Sequence, residues 1–227
     1  MIFRLSKDIW FPDPYTAPKN YPVAVGGDLS PERLLFAYSL GIFPWYSEEE
    51  PILWWCPDPR MVLFPEKLKI SRSLRKVLKK KIFSVKFDTL FEEVINRCAT
   101  IERKEQTGTW LVPEMIDAYI RLHRLGFAHS VEVFLNGKLV GGLYGVSLGG
   151  TFFGESMFYE VPDASKVGFV YLVQRLKDWD FDMIDCQQST EHMRRFGAEE
   201  ISRKEFLNIL KESLKKKTKL GKWSRIL

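Results

Sequence analysis

The sequence predicts an α+β fold in two parts, a small N-terminal domain over residues 1–60 and a larger C-terminal domain over residues 61–227. Three observations carry that expectation. The closely spaced prolines Pro57 and Pro59 interrupt regular structure near residue 60 and mark a boundary. Three alternating apolar stretches follow one another across Asn136-Gly137 and Gly149-Gly150, the turn signals of an antiparallel meander. A strongly apolar segment, Ala164 to Trp179, then leads into one more strand, so the meander continues through a helix packed on the sheet. With 227 residues, 45% of them hydrophobic, the chain can bury a real core, and disorder is excluded.

Residues 1–25 are rich in proline and aromatics and read as irregular. Ser30 can cap a first helix, with Pro31 suited to its first position; Leu34, Leu35, Ala37 and Tyr38 recur at helical spacing, and Gly41 ends it. After the boundary, Ser71 to Lys81 is helical, with Leu74, Val77 and Leu78 on one face and Arg72, Arg75, Lys76 and Lys79 on the other. Phe83 to Phe87 alternates like a strand, and Thr89 to Arg97 and Pro113 to Leu125 are helical. Strands Ser130–Phe134, Leu139–Ser147 and Thr151–Phe158 form the meander. Asp182 to Cys186 is the strand after the buried helix. Ser189 or Thr190 caps a short helix ended by Gly197, and Ser202-Arg203-Lys204-Glu205 reads as a capping box for the last one. This order is compatible with the acetyltransferase-type (GNAT) architecture, which opens a cleft beside its central strands.

The net charge of +5 conceals a strong segregation. Residues 67–87 carry nine Lys/Arg and no acid, and residues 211–225 carry seven Lys/Arg against Glu212 alone, so the rest of the chain is about −10. Two such runs beside many aromatics point to a polyanion partner as readily as to solvated helix faces. No apolar run approaches the ~18 residues of a membrane span, and the N-terminus lacks the pattern of a signal peptide. The expectation is a cytoplasmic protein. Cys56, Cys98 and Cys186 lie far apart and form no ligand cluster with His123, His129 or His192, so neither structural zinc nor disulfides are expected.

Three sets of residues could carry chemistry. In Met183-Ile184-Asp185-Cys186-Gln187, strand alternation points Asp185 and Gln187 the same way, a costly place for polar groups unless used. Gln187 is a poor base but can accept a hydrogen bond from an amine, which Asp185 could polarise. Glu155 shares a face with core-like Phe153 and Met157 on the same alternation, and a carboxylate there needs a partner such as an ammonium group. Trp45 and Trp110 sit in loop contexts where stacking on a base is plausible, whereas Trp54 and Trp55 read as core. No Ser/His/Asp elbow, P-loop or dinucleotide fingerprint is present. The strand-to-helix junction at residues 160–166 also lacks the glycine-rich turn that would cradle a coenzyme A pyrophosphate.

Read together, Gly26-Gly27-Asp28-Leu29-Ser30-Pro31, Gly41-Ile42-Phe43-Pro44-Trp45, Trp54-Trp55 through Pro57-Asp58-Pro59-Arg60, Gly108-Thr109-Trp110, Gly154-Glu155-Ser156-Met157-Phe158, Ala164-Ser165-Lys166 and Ile184-Asp185-Cys186-Gln187 resemble the bacterial leucyl/phenylalanyl-tRNA–protein transferase family. The blocks follow the family's order and span nearly the whole chain. The resemblance implies a monomeric enzyme with a GNAT-like C-terminal domain and no metal or coenzyme. Its reaction would move leucine, phenylalanine and, less well, methionine from aminoacyl-tRNA to proteins with N-terminal Arg or Lys, marking them for degradation by the N-end rule. It assigns Trp45 and Trp110 to the terminal adenosine, Glu155 to the aminoacyl end, and Asp185 and Gln187 to the attacking amine. It places the amino-acid pocket on Leu143, Phe153, Phe169, Leu172 and Ile184. Arg72, Arg75, Lys76, Lys79 and Lys80 would hold the acceptor stem. The alternatives are an acetyl-CoA-dependent acetyltransferase and a non-catalytic RNA-binding module.

Overall fold

A computed structural model describes residues 2–19, 21–100 and 111–225. Two sheets organise the chain. The first is built from β1 (Phe3–Leu5), β2 (Ala24–Gly26), β3 (Phe43–Pro44) and β4 (Leu53–Trp55), in the order β1-β2-β4-β3, with α1 (Pro31–Ser39) between β2 and β3. The strands here are two or three residues long, too short for a period-2 pattern to show, so a region expected to be irregular is partly paired. Ser30 caps α1 as expected, its Oγ accepting from the Arg33 N–H at 3.4 Å.

The second sheet has seven strands. In chain order the elements are β5 (Arg60–Leu63), α2 (Arg72–Lys80), β6 (Phe83–Phe87), α3 (Phe91–Thr100), α4 (Pro113–Arg124), β7 (Ala128–Leu135), β8 (Lys138–Leu148), β9 (Thr151–Tyr159), α5 (Ala164–Asp178), β10 (Met183–Gln187), α6 (Glu191–Arg195), β11 (Glu199–Ile201) and α7 (Arg203–Ser213). The strand order is β11-β5-β10-β9-β8-β7-β6. Asn136 and Gly137 both take positive φ (51° and 79°), the signature of the tight hairpin joining β7 to β8. Thr190 rather than Ser189 caps α6, its Oγ1 accepting from the Met193 N–H at 3.2 Å.

Every neighbouring pair in this sheet is antiparallel except β9 and β10, which α5 connects as parallel strands. The acetyltransferase-type layout expected from the element order is present. Their pairing runs from Met183↔Thr151 to Asp185↔Phe153 and stops there. Beyond that point the two strands part, and two residues further on Glu155 and Gln187 meet across the opening through a side-chain hydrogen bond.

Apolar clusters cover both faces of the sheet. One holds Tyr38 of α1, α3 and α4 residues such as Val94 and Tyr119, and Trp54. The other holds the buried face of α5 with Met61, Leu63, Leu143, Phe152 and Ile184. Sequence composition makes the end of the chain look like a basic extension, but Trp223 is fully buried in the second cluster. Its ring stacks on His129 at 3.8 Å, and its backbone N–H donates to Asp88 Oδ2 at 2.7 Å. Lys216 is tied to Asp180 and Asp182. Cys56 and Cys98 are buried, as expected of small apolar residues.

Candidate active site

A cavity of about 320 Å³ opens where β9 and β10 part. Leu143, Phe169, Leu172 and Ile184 line it, four of the five residues expected for an apolar pocket. Phe153 does not. It lies in the opposite cluster, its ring 4.9 Å from that of Tyr38. Phe152 takes its place on the cavity side, with Met157, His192 and Met193.

The reason is a bulge. Gly145 pairs with Gly154 and Tyr144 with Ser156, so Glu155 is the extra residue between two ladder pairs. Alternation is interrupted there, and Phe153 and Met157, expected on one face, fall in opposite clusters. Gly145 is required opposite the bulge: a Cβ there would meet the Phe153 carbonyl oxygen at 2.2 Å and the Phe152 ring at 2.6 Å.

The half-buried Glu155 is contacted by three groups. Tyr38 Oη bonds Oε1 at 2.6 Å, Tyr119 Oη bonds Oε2 at 2.9 Å, and Gln187 Nε2 donates to Oε1 at 3.0 Å. The two tyrosine oxygens also touch at 2.7 Å. Two phenol protons cannot fill the three contacts among Tyr38, Tyr119 and Glu155. A protonated carboxyl would supply the third, with Tyr38, Tyr119 and Glu155 each donating once around a closed ring. Burial acts in the same direction, raising the Glu155 pKa to about 7, with the nearby Asp185 charge adding to it against the hydrogen bonds from the tyrosines and Gln187. Burial also pushes both tyrosines well above their ordinary value.

Asp185 and Gln187 do not point out side by side as alternation implies. The register shifts between them, and Gln187 takes a left-handed backbone (φ 59°). Its N–H folds back onto Asp185 Oδ1 at 2.8 Å. Asp185 is fully buried and receives both arms of Arg60, Nε to Oδ1 at 2.8 Å and Nη2 to Oδ2 at 2.6 Å. Gln187 commits its amide NH₂ to Glu155 and keeps its carbonyl oxygen as an acceptor.

Trp45 follows β3, partly buried, its ring 5.6 Å edge-on to Trp55. Trp54 is fully buried, as expected, whereas Trp55 is only partly so and donates to the Trp45 carbonyl at 2.7 Å. Trp110 lies outside the described residues. Arg72, Arg75, Lys76, Lys79 and Lys80 are all exposed on α2, and among the described residues none of them forms an ion pair with a carboxylate. Sequence reasoning missed Tyr38, Tyr119 and Arg60 as parts of the site. The tyrosines carried a usable signal, since each stands on the apolar face of its helix and a buried phenol needs a partner. Among the described residues no group of His, Cys, Asp and Glu side chains is arranged to hold a metal ion.

Comparison with known proteins decides the family. The model of the leucyl/phenylalanyl-tRNA protein transferase matches residues 62–211, and that of the same family's N-terminal domain matches residues 27–58. The chain belongs to the leucyl/phenylalanyl-tRNA protein transferase family. It is, on that ground, an aminoacyltransferase. Curated relatives with that name include those of Anaeromyxobacter sp. strain Fw109-5, 59% identical over 98% of this chain and 94% of the relative, and Myxococcus xanthus, 57% identical over 94% and 92%. A solved structure with partial likeness is L-PGS from Bacillus licheniformis, 13% identical over 74% of this chain and 53% of that one, with a TM-score of 0.42. No helix among the described residues is long and apolar enough to cross a membrane.

Proposed function

We propose that this member of the transferase family moves leucine, phenylalanine and, less well, methionine from aminoacyl-tRNA to proteins whose N-terminus is Arg or Lys. The product would be marked for degradation by the N-end rule pathway. The reading includes a monomer working in the cytoplasm without metal or coenzyme. The observation that carries it is the apolar cavity at the β9/β10 opening, with the Glu155–Gln187 pair on its wall. At about 320 Å³ it stands at the small end of ligand sites, suited to an apolar side chain on an ester. An acetyl-CoA reading is opposed by the junction before α5, where residues 160–166 hold no glycine to let the backbone cradle a pyrophosphate.

The chemistry asks for placement more than for strong catalysis. An aminoacyl ester is already activated, and aligning it with the amine supplies much of the rate. The attacking α-amine has an ordinary pKa of about 7.7–8.0, so an appreciable fraction is neutral near pH 7. In the proposed reaction the amine nitrogen attacks the ester carbonyl carbon, the bond to the ribose 3′-oxygen breaks, and one amine proton ends on that oxygen. Gln187 accepts a hydrogen bond from the amine and orients it. Glu155 stands at the aminoacyl end. Asp185 braces Gln187 from beneath. Leu143, Met157, Phe169, Leu172 and Ile184 seat the leucine or phenylalanine side chain, and Trp45 and Trp110 stack on the terminal adenosine. Phe153 is left out of the pocket because its ring packs on Tyr38. The exposed bases of α2 hold the acceptor stem through phosphates, with little reading of sequence.

The test is transfer itself. Purified protein is incubated with labelled leucyl-tRNA and a peptide beginning with Arg, beside one beginning with Ala and a reaction given acetyl-CoA instead. Label on the Arg peptide alone is expected. Absence of labelled leucine from that peptide overturns the reading.

A further inference from the structure

Arg60 begins β5 immediately after Pro59, and its side chain is fully buried. Its guanidinium is clamped between the rings of Phe43, 4.8 Å away, and Phe206, 4.5 Å away. Two N–H groups meet Asp185 in a fork, the geometry for which arginine is suited and lysine is not. The chain of contact continues outward. Asp185 Oδ1 also accepts the Gln187 N–H, closing the left-handed turn from which the Gln187 amide reaches Glu155. With no exposure, and with both carboxylate oxygens engaged, Asp185 has nothing to offer an incoming amine.

We propose that Arg60 is a positioning residue for aminoacyl transfer. Clamped between Phe43 and Phe206, it holds Asp185 and, through it, the turn that aims Gln187 at Glu155. Arg60 and Asp185 act as one unit, and Asp185 works without touching the substrate. The inference rests on the transfer reading above. It also has an electrostatic consequence. The groups facing Glu155 are Tyr38 of α1, Tyr119 of α4, and Asp185 and Gln187 of β10, with Arg60 of β5 behind Asp185 and with Cys186 and His192 lining the same cavity. Loss of the bidentate Arg60 contact leaves the Asp185 charge less compensated beside Glu155 and moves the protonation midpoint of Glu155 upward.

The experiment compares full-length wild type with Arg60→Lys, Arg60→Met, Asp185→Asn and the double variant Arg60→Met/Asp185→Asn. Leucine-transfer kcat, KM for leucyl-tRNA, the pH profile and thermal melting are measured. Side-chain amide NMR of Gln187 and the titration of Glu155 are recorded without substrate. Displacement of the reacting groups by about an ångström costs on the order of a hundredfold in rate. Arg60→Lys should lose about that in kcat with KM nearly unchanged, shift the Gln187 amide signals, and raise the Glu155 midpoint. The double variant should be no worse than the worse single one, because coupled residues are not additive. Wild-type kcat and pH profile in Arg60→Lys overturn the proposal. So do multiplying losses in the double variant, or losses of rate, tRNA binding and folded structure in step in every variant. Should the wild type itself transfer nothing, the transfer reading falls. The NMR signals then still decide the placement: a shifted Gln187 amide in Arg60→Lys supports it and an unshifted one overturns it.

Discussion

Replacing Glu155 with glutamine probes the proton ring at the β9/β10 opening. In the folded protein the Glu155 pKa is raised from 4.5 to about 7, chiefly by burial. Below pH 4.5 both the folded and unfolded chains hold the proton, so the group adds no pH dependence. Between 4.5 and 7 the unfolded chain has released it and the folded chain has not. Stability therefore falls with pH across that window, then levels off above it. A shift of roughly 2.5 units corresponds to about 3 kcal/mol lost between the two ends. Glutamine keeps the shape, supplies its own donor toward Tyr119, and cannot ionise. Urea midpoints measured from pH 4.5 to 8 should thus show the wild type losing up to about 3 kcal/mol relative to Glu155→Gln. Glu132, another buried carboxyl with a raised pKa, titrates in both proteins and cancels in the difference. Parallel stability curves for the two proteins would refute the reasoning, because they would mean that Glu155 is ionised, or solvated, in both states.

Three further outcomes are expected. Gly145→Ala drives a methyl group into the Phe153 carbonyl and the Phe152 ring, and should cost about 1–3 kcal/mol in urea unfolding; a cost below about 0.5 kcal/mol means that the bulge relaxes freely. Trp223→Ala removes a fully buried ring that stacks on His129, and should cost about 3–5 kcal/mol by the same measurement; near-wild-type stability would show that the end of the chain is not docked in solution. Reversing Arg75, Lys76 and Lys79 to Glu should weaken tRNA binding and lower the slope of log K against log salt by roughly 2–3, about 0.7–0.9 per lost phosphate contact. An unchanged slope would show that α2 faces only solvent.

The local grammar of the chain was legible because its causes are local. Ser30, Ser71 and Ser202 cap helices where hydroxyls precede apolar-periodic runs. Asn136-Gly137 turns a hairpin because those two residues tolerate positive φ. Ala164 to Asp178 is buried against the sheet because it is apolar on most sides. The polar residues 155, 185 and 187 stood out for the same kind of reason, as charged or amide groups in strands otherwise apolar.

Where those side chains point was decided elsewhere. Alternation holds only while a strand stays in register with its neighbour, and both β9 and β10 carry an irregularity at the residue that matters. A bulge is a property of two paired strands, so neither strand's own sequence announces it. Phe153 and Met157 separate, and Asp185 and Gln187 take different partners, for this one reason. Composition and spacing by themselves determined the α+β class, the order of its main elements and which polar groups needed explaining. The tertiary structure alone decided that Arg60, 125 residues away in sequence, neutralises Asp185, and that Tyr38 and Tyr119 close a ring on Glu155. Each partnership joins groups that share no local pattern and meet only when desolvation makes pairing obligatory.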